Sequence, residues 1–318
     1  MAATYLVTSA TGSQGGSVVR ELLARDLKVH AYVRDSTTDA ALEIKSLGAV
    51  LFEGDFDNET SIAAAIKGCT GVFLNTFPGF LDPHTERKHA QNFINAAVKA
   101  KTVTTFVAST VLRPSVEELA GQKYAFPFLT FYYRQKGGVE KAVRKSGIKN
   151  TVILRPGYLT YNVLSPYHGF HFPGYPETRV MEVSYGADHQ LEFLDAADVG
   201  KFAAAAFADP ERFAGEEIDL FSEKLTVAEI ASTITKVSGV EIKVSYRTDE
   251  ETEQIRRSGR MPAIENQIWV KTHPSMRDNK NLEKYGIALG TLEGFLEREK
   301  DRLLETLGVA ERTGRAKT

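Results

Sequence analysis

Along the first half of the chain, short apolar runs alternate with stretches in which hydrophobic residues recur every three or four positions. The runs are too short for helices and are apolar throughout, as strands buried on both faces must be. The pattern predicts strands at 4–9, 28–33, 49–53, 71–76, 103–108 and 150–155, with helices over 14–25, 38–47, 59–67, 84–100 and 131–146. Such alternation builds a parallel sheet with helices on both sides, and right-handed crossovers make it an α/β, Rossmann-type doubly wound sheet. In that arrangement ligands lie at the carboxyl ends of the strands.

The strand ends therefore hold the chemistry. The first strand runs into Ser9-Ala10-Thr11-Gly12-Ser13-Gln14-Gly15-Gly16 and then into a helix marked by Val18, Val19, Leu22 and Leu23. A glycine-rich turn at a helix N-terminus lets a pyrophosphate approach backbone N–H groups. A GxxGxxG spacing that ends at Gly15 would need glycine at position 9, where this chain has Ser9. The turn alone is also compatible with an ordinary strand-to-helix connection.

After the second strand comes Arg34, near the offset of about 20 residues where an acid holds a ribose hydroxyl in NAD proteins and an arginine accommodates a 2′-phosphate. Arg34, with the hydroxyls of Ser36 and Thr37, favours NADP(H). Asp35 beside it pulls toward NAD, or simply pairs with Arg34 at the surface. After the third strand, the Asp55 carboxylate can accept from an adenine amino group and the Phe56 ring can flank the base; a plain turn residue is the alternative for Asp55. Asn75, Thr76 and Phe77 follow the fourth strand and would lie over the ribose and nicotinamide.

Ser109 and Thr110 end the fifth strand. In the next helix Tyr132 and Lys136 are four residues apart and share a face. An ammonium near a phenol lowers the phenol's pKa, so Tyr132 can donate a proton to a substrate carbonyl that Ser109 or Thr110 orients. The alternative is a packed aromatic pair, Tyr132 and Tyr133, with Lys136 only binding ribose.

Beyond Pro156 the alternation breaks. Residues 157–185 are rich in Gly, Pro, Tyr and His, a stretch able to line an aromatic cleft for a small-molecule substrate. His168 and His171 have no acidic residue at a ligand spacing, so no metal site is expected. The run from Asp195 to Gly200 opens an Ala-rich helix, and Glu217 to Phe221 reads as a strand; both are expected to return to the sheet. A helix from Thr226, a strand at 240–246 and an amphipathic helix at 292–307 follow. Arg256 to Arg260 form a small basic cluster, read as a solvated helix end, and residues 311–318 are expected to fray.

Composition removes several classes. Lys plus Arg number 39 against 41 Asp plus Glu, a formal charge of -2, which argues against a nucleic-acid surface. Cys69 is the single cysteine, so an intrachain disulfide or thiolate cluster is excluded, and its place before a strand suggests a buried small hydrophobe. No window approaches the roughly 20 apolar residues of a membrane span, and the first strand starts at once, so neither a membrane segment nor a secretory leader is expected. A cytoplasmic location fits, or the nucleus for a regulator.

Taken together, Ala10 to Val18, Arg34, Gly54-Asp55, Lys136 to Glu140, Leu154 to Tyr158 with Asn162, Asp195 to Gly200 and Pro262 to Trp269 resemble the NmrA-like group of atypical short-chain dehydrogenases/reductases. The resemblance implies an NADP(H)-binding Rossmann domain over 1–155, with 195–222 returning to it, and a smaller C-terminal α/β lobe from 156–194 and 223–318. It implies cofactor contacts from Ser9, Ala10, Thr11, Gly12, Ser13, Gln14, Arg34, Asp55, Phe56, Asn75, Thr76, Phe77, Lys136, Tyr158 and Asn162. Members lacking a Ser-Tyr-Lys set look like redox sensors that regulate a protein partner such as a transcription factor. Members keeping a proton donor look like reductases of quinones, ketones or imine-like molecules. With Ser109, Tyr132 and Lys136 present, the reductase is the expectation.

Overall fold

The computed structural model describes residues 3–79, 82–112, 125–273, 275 and 277–309. The tail expected to fray at 311–318 lies outside the described residues. The strands are β1 (Thr4–Val7), β2 (Lys28–Val33), β3 (Val50–Glu53), β4 (Gly71–Asn75), β5 (Thr105–Ser109), β6 (Asn150–Pro156), β7 (Tyr158–Leu159), β8 (Val180–Val183), β9 (Gln190–Leu194), β10 (Glu217–Leu220), β11 (Glu223–Thr226) and β12 (Lys243–Tyr246). Helices α1 (Ser13–Leu23), α2 (Asp39–Ser46), α3 (Glu59–Ile66), α4 (Thr85–Ala100) and α5 (Pro127–Arg144) connect the first six. One-turn helices α6 (His168–His171) and α7 (Tyr175–Thr178) and the longer α8 (Ala196–Ala208) follow.

The ends of the first six strands and five helices depart from the sequence expectation by no more than four residues. The largest shift is α5, which starts at Pro127, whose fixed φ suits a first helical position. The helix expected over 292–307 is two helices, Leu292–Arg298 and Lys300–Thr306, interrupted at Glu299.

Seven strands form the main sheet in the order β10-β6-β5-β4-β1-β2-β3, every neighbouring pair parallel. This is the Rossmann-type doubly wound sheet. The side chains of β1 split between its two faces. Tyr5 and Val7 join Val18, Val19 and Leu22 of α1 and Val199, Phe202 and Ala203 of α8; Leu6 joins Ile62 of α3, Phe93 of α4 and Val139 of α5. Each of these large side chains is almost wholly withdrawn from water, which contributes about 1.5–3 kcal/mol apiece. Helices α1 and α8 touch at Gly200, where a Cβ would stand 2.8 Å from the Ser17 carbonyl carbon.

A second core lies beyond the sheet. Phe172, Tyr175, Met181, Phe193, Ile230, Ile234, Leu292 and Phe295 gather there from β8, β9 and the later helices. The stretch 157–185 supplies β7, a 3₁₀ turn at Thr160–Val163 and the one-turn helices to this lobe. Among the described residues no helix is long and apolar enough to cross a membrane.

Candidate functional site

The chain reverses its direction of growth across the sheet between β1 and β4, and a crevice opens beyond the carboxyl ends of strands at such a switch point. A cleft of about 1630 Å³ lies there. One end is walled by Ser9, Thr11 to Gln14, Arg34, Asp55, Phe56 and Asn75 to Phe77; the other by Tyr132, Lys136, Tyr158, Asn162 and side chains of the lobe. Of the residues singled out from sequence for the site, Ala10, Asp35, Ser36, Thr37 and Ser109 are not among its walls, and the Ser36 and Thr37 hydroxyls are committed to Glu53 and Asp35. Ala10 is fully buried in the core under the turn.

The turn after β1 explains its own composition. Ser9 adopts a left-handed backbone, φ 49°, and its carbonyl accepts from the Gly12 N–H at 2.9 Å. That carbonyl then presses on α1: a Cβ on Gly15 would come within 2.2 Å of it. Glycine at 15 is therefore a steric requirement of the turn, while serine at 9 is accommodated. The Ser9 hydroxyl also donates to the Asn75 carbonyl at 2.9 Å and so fastens the turn to the end of β4. No side chain caps α1, whose N-terminus opens on the cleft through Ser13 and Gln14. The positive end of the helix dipole faces the same space.

Arg34 is exposed at the end of β2, and among the described residues no carboxylate pairs with it. Asp35 is turned away, its carboxylate accepting from the Thr37 N–H and hydroxyl at 2.8 and 2.6 Å, which holds it below the usual carboxylate range. Glu53, at the end of β3, is lowered in the same way by the Ser36 hydroxyl and N–H. Asp55 accepts from the Asp57 N–H, a local turn bond, and still lines the cleft. The Phe56 ring packs edge-on against Phe93 and His89.

Lys136 is the most constrained residue of the site. Its ammonium donates to Glu86 Oε1 at 2.6 Å and to the Thr76 carbonyl at 2.9 Å, with the two charged side chains 5% and 0% exposed. The Thr76 hydroxyl donates to the same carboxylate oxygen, while Glu86 Oε2 is buried without a partner. An ammonium has three donors, so one remains for a ligand. The Lys136 Nζ lies 5.8 Å from the Tyr132 ring centroid, but its charge is neutralised by Glu86. Burial first, and the Glu86 charge second, push the Tyr132 phenol above its ordinary pKa. The lowered phenol pKa expected from the Tyr-Lys spacing is thus corrected: burial of the phenol, reinforced by the Glu86 carboxylate, shifts it upward.

Ser109 is likewise placed differently from expectation. Its hydroxyl donates to Gln14 Oε1 at 2.6 Å, so it orients the first turn of α1 and does not present itself to a substrate. Thr110 lines the cleft, but its hydroxyl donates to the fully buried Glu140 at 3.0 Å, a carboxylate also bound by Arg155 and Arg144.

The lobe end of the cleft is aromatic. Tyr158 meets His171 at 4.7 Å and Phe193 at 4.9 Å between centroids; Tyr185 stacks on His189 at 5.3 Å, and Trp269 on His273 at 3.7 Å. The Tyr158 hydroxyl is buried with no hydrogen-bond partner among the described residues. Burial lowers the pKa of His171 to about 4 and that of His189 below its ordinary value. Sequence reasoning missed Glu86, Tyr185, His189 and Glu192 as site residues. Among the described residues no cluster of three or more metal-ligating side chains occurs.

Fold and cleft define the class: a Rossmann-type α/β protein whose site opens where the strand order turns. The chain belongs to the NmrA-like family, whose model matches residues 1–293. It is 31% identical over 249 residues to the NmrA-like family domain-containing oxidoreductase ptmS of Penicillium ochrochloron, covering 73% of this chain and 72% of that protein. Among solved structures it is similar to the NADPH-dependent quinone oxidoreductase QOR2 of Escherichia coli complexed with NADPH, with a TM-score of 0.70, 19% identity, and 93% and 99% of the two chains covered. It is also similar to NmrA, a negative transcriptional regulator, in complex with NAD, with a TM-score of 0.72, 19% identity, and 97% and 98% covered.

Proposed function

We propose that this protein is an NADP(H)-dependent oxidoreductase that reduces a small carbonyl, quinone or related acceptor by hydride transfer. One observation carries the reading: a single cleft joins an uncapped helix N-terminus and an unpaired arginine to Tyr132 and Lys136. The anion site and the proton-bearing group face the same space.

In this reading the turn Ser9 to Gln14 receives the pyrophosphate, with Ala10 supporting it from beneath and Ser109 holding Gln14. Arg34 takes the 2′-phosphate, because Asp35 is committed to Thr37 and leaves the guanidinium free. Asp55 and Phe56 border the adenine, Asn75, Thr76 and Phe77 the ribose and nicotinamide, and Tyr158 and Asn162 close the far side. The third donor of Lys136 reaches a ribose hydroxyl. When bound, the coenzyme supplies the hydride. Tyr132, kept protonated by its surroundings, acts as hydrogen-bond donor and acid to the acceptor oxygen, never as base. With it we propose a cytoplasmic location, the one expected from the sequence.

The curated relative is described as an oxidoreductase and one structural neighbour as an NADPH-dependent quinone oxidoreductase, which supports the class of reaction. Titration with NADPH and NADH tests the cofactor choice. Arg34→Ala should weaken NADPH binding at least tenfold and leave NADH nearly unchanged; equal losses for both would refute the 2′-phosphate assignment. NADPH consumption with quinones, ketones and enones tests the reaction. Tyr132→Phe should slow ketone reduction roughly 10²-fold, the lower range for loss of a general acid.

The neutralised Lys136 favours a second reading, a non-catalytic NADP(H) sensor that regulates a protein partner, since the Tyr-Lys pair lacks the usual tuning. A partner recovered equally with and without NADP(H) would refute it.

A further inference from the structure

Away from the cleft, the surface formed by α4 and α5 is one-sided in charge. Each helix carries a single acid, Glu86 in α4 and Glu140 in α5, and both are fully buried in the pairs already described. Their outer faces are left without a carboxylate. A groove of about 570 Å³ runs between the two helices, bordered by Arg87 and Lys99 of α4 and by Lys141 and the C-cap residue Lys145 of α5. All four are exposed, no acid lines the groove, and among the described residues none of the four is in an ion pair. Neighbouring cations are committed by contrast: Lys88 to Asp57, and Arg144 to Glu140 and Glu217. Arg87 and Lys99 stand twelve positions apart in α4, about 18 Å along its axis, so the cations line an elongated depression. Its floor is carbon, from Ile94, Ala142 and the half-exposed Val98. Gly138 keeps the α5 wall low. A Cβ there would meet the Arg87 Cδ at 3.6 Å, an ordinary contact, so packing would accept alanine. Glycine inside a helix costs about 0.5–1 kcal/mol relative to alanine, and what its bare backbone preserves here is the open groove.

We propose that this groove is a docking site for an acidic segment of a protein partner, with carboxylates set against the four cations and an aliphatic side chain resting on Val98. The length of the groove fits about six residues of extended chain, at roughly 3.3 Å per residue. The inference stands apart from the reductase reading, because the groove shares no lining residue with the cleft. A compact polyphosphate would meet only part of so long a line of cations. A second copy of the chain is disfavoured, since a two-fold contact sets a patch against itself and would oppose like charges here. A nucleic acid would meet an apolar floor and a chain whose formal charge is -2. An acidic peptide with an apolar residue satisfies both the rim and the floor.

The full chain is titrated with a rhodamine-labelled peptide, Glu-Asp-Leu-Glu-Asp-Glu with blocked ends, and with a counterpart in which Gln and Asn replace every acid; fluorescence anisotropy reads binding. Wild type should bind the acidic peptide at least tenfold more tightly, and the preference should shrink as salt is raised. Lys141→Glu/Lys145→Glu should lower that affinity at least tenfold. The same charge change at Lys280→Glu/Lys300→Glu, two exposed lysines outside the groove, should alter it less than twofold. Gly138→Gln, which fills the groove without changing its charge, should lower it at least fivefold, and each variant should keep the wild-type circular dichroism spectrum. Equal binding of the two peptides, no binding of either, or equal losses from the groove and remote pairs overturns the inference. A uridine hexanucleotide that displaces the acidic peptide at lower concentration assigns the groove to nucleic acid and overturns it. So does a concentration-dependent dimer in sedimentation that Lys141→Glu/Lys145→Glu disperses, which assigns the groove to a second copy.

Discussion

Removing the Lys136 ammonium should be among the most damaging single changes in the chain. Lys136→Met leaves Glu86, fully buried, with one hydroxyl donor from Thr76 and no counter-charge. Breaking a buried pair from one side costs about 3–5 kcal/mol, because the remaining charge keeps its desolvation penalty. With an unfolding entropy near 2.1 cal/mol/K per residue, a chain of this length should lose about 4–8 °C in Tm. Glu86→Leu should be comparably harmful, stranding the ammonium on the Thr76 carbonyl. The double variant Glu86→Leu/Lys136→Met removes both charges and should recover at least half of the summed loss, since an apolar pair of similar volume is often tolerated in place of an ion pair. Urea denaturation of the four proteins closes the cycle. A single-variant loss below about 1 kcal/mol, or losses that simply add in the double variant, would refute the coupling argument.

Three smaller tests follow from other parts of the structure. Gly15→Ala forces a methyl onto the Ser9 and Thr8 carbonyls, so it should cost about 1–3 kcal/mol and weaken NADPH binding more than tenfold by calorimetry; an unchanged titration would show that the turn can yield. The Cys69 thiol, fully buried and pushed up to about 12, should resist alkylation in the native protein and react on unfolding, as mass spectrometry would read; rapid native labelling would contradict its burial. His171, lowered to about 4 by burial, binds its proton more readily in the unfolded chain. Stability should therefore fall as pH drops from about 6.5 toward 4, and His171→Phe should flatten that decline in thermal scans at successive pH values; parallel curves would remove His171 as its cause.

Much of this was legible in the alternation of apolar runs, because strands buried on both faces admit few polar residues and helices against them show a stripe. The turn at Ser9 to Gln14 and Arg34 were found the same way, since local backbone requirements and position after a strand are written in order along the chain. Glu86 was not, although its signal exists: Glu86, Ala90, Phe93, Ile94 and Ala97 fall on the buried face of α4, so the acid sits in an apolar stripe. Acids in a first helical turn are ordinary at the surface, which masked it. Glu192 lies between buried Leu191 and Phe193 in β9, and only the tertiary arrangement aims it into the cleft. The reversed shift of Tyr132 follows first from its tertiary burial and then from Glu86, a partner 46 positions away, both beyond the reach of spacing rules.

The contact of α8 with α1 through Gly200 has a consequence for how this molecule can be cut or recombined. Because the polypeptide leaves the main sheet at β6, builds β7 to β9, and comes back to shield Val18, Val19 and Leu22, the first part of the lobe is an insertion embedded in its host, while the rest of the lobe's core arrives after β10. A fragment ending at residue 155 would bare a greasy flank and aggregate. Grafting a lobe from a relative, by contrast, requires splice points on either side of residues 157–194 and a third after β10, and the returning helix must keep its glycine to nest against the first.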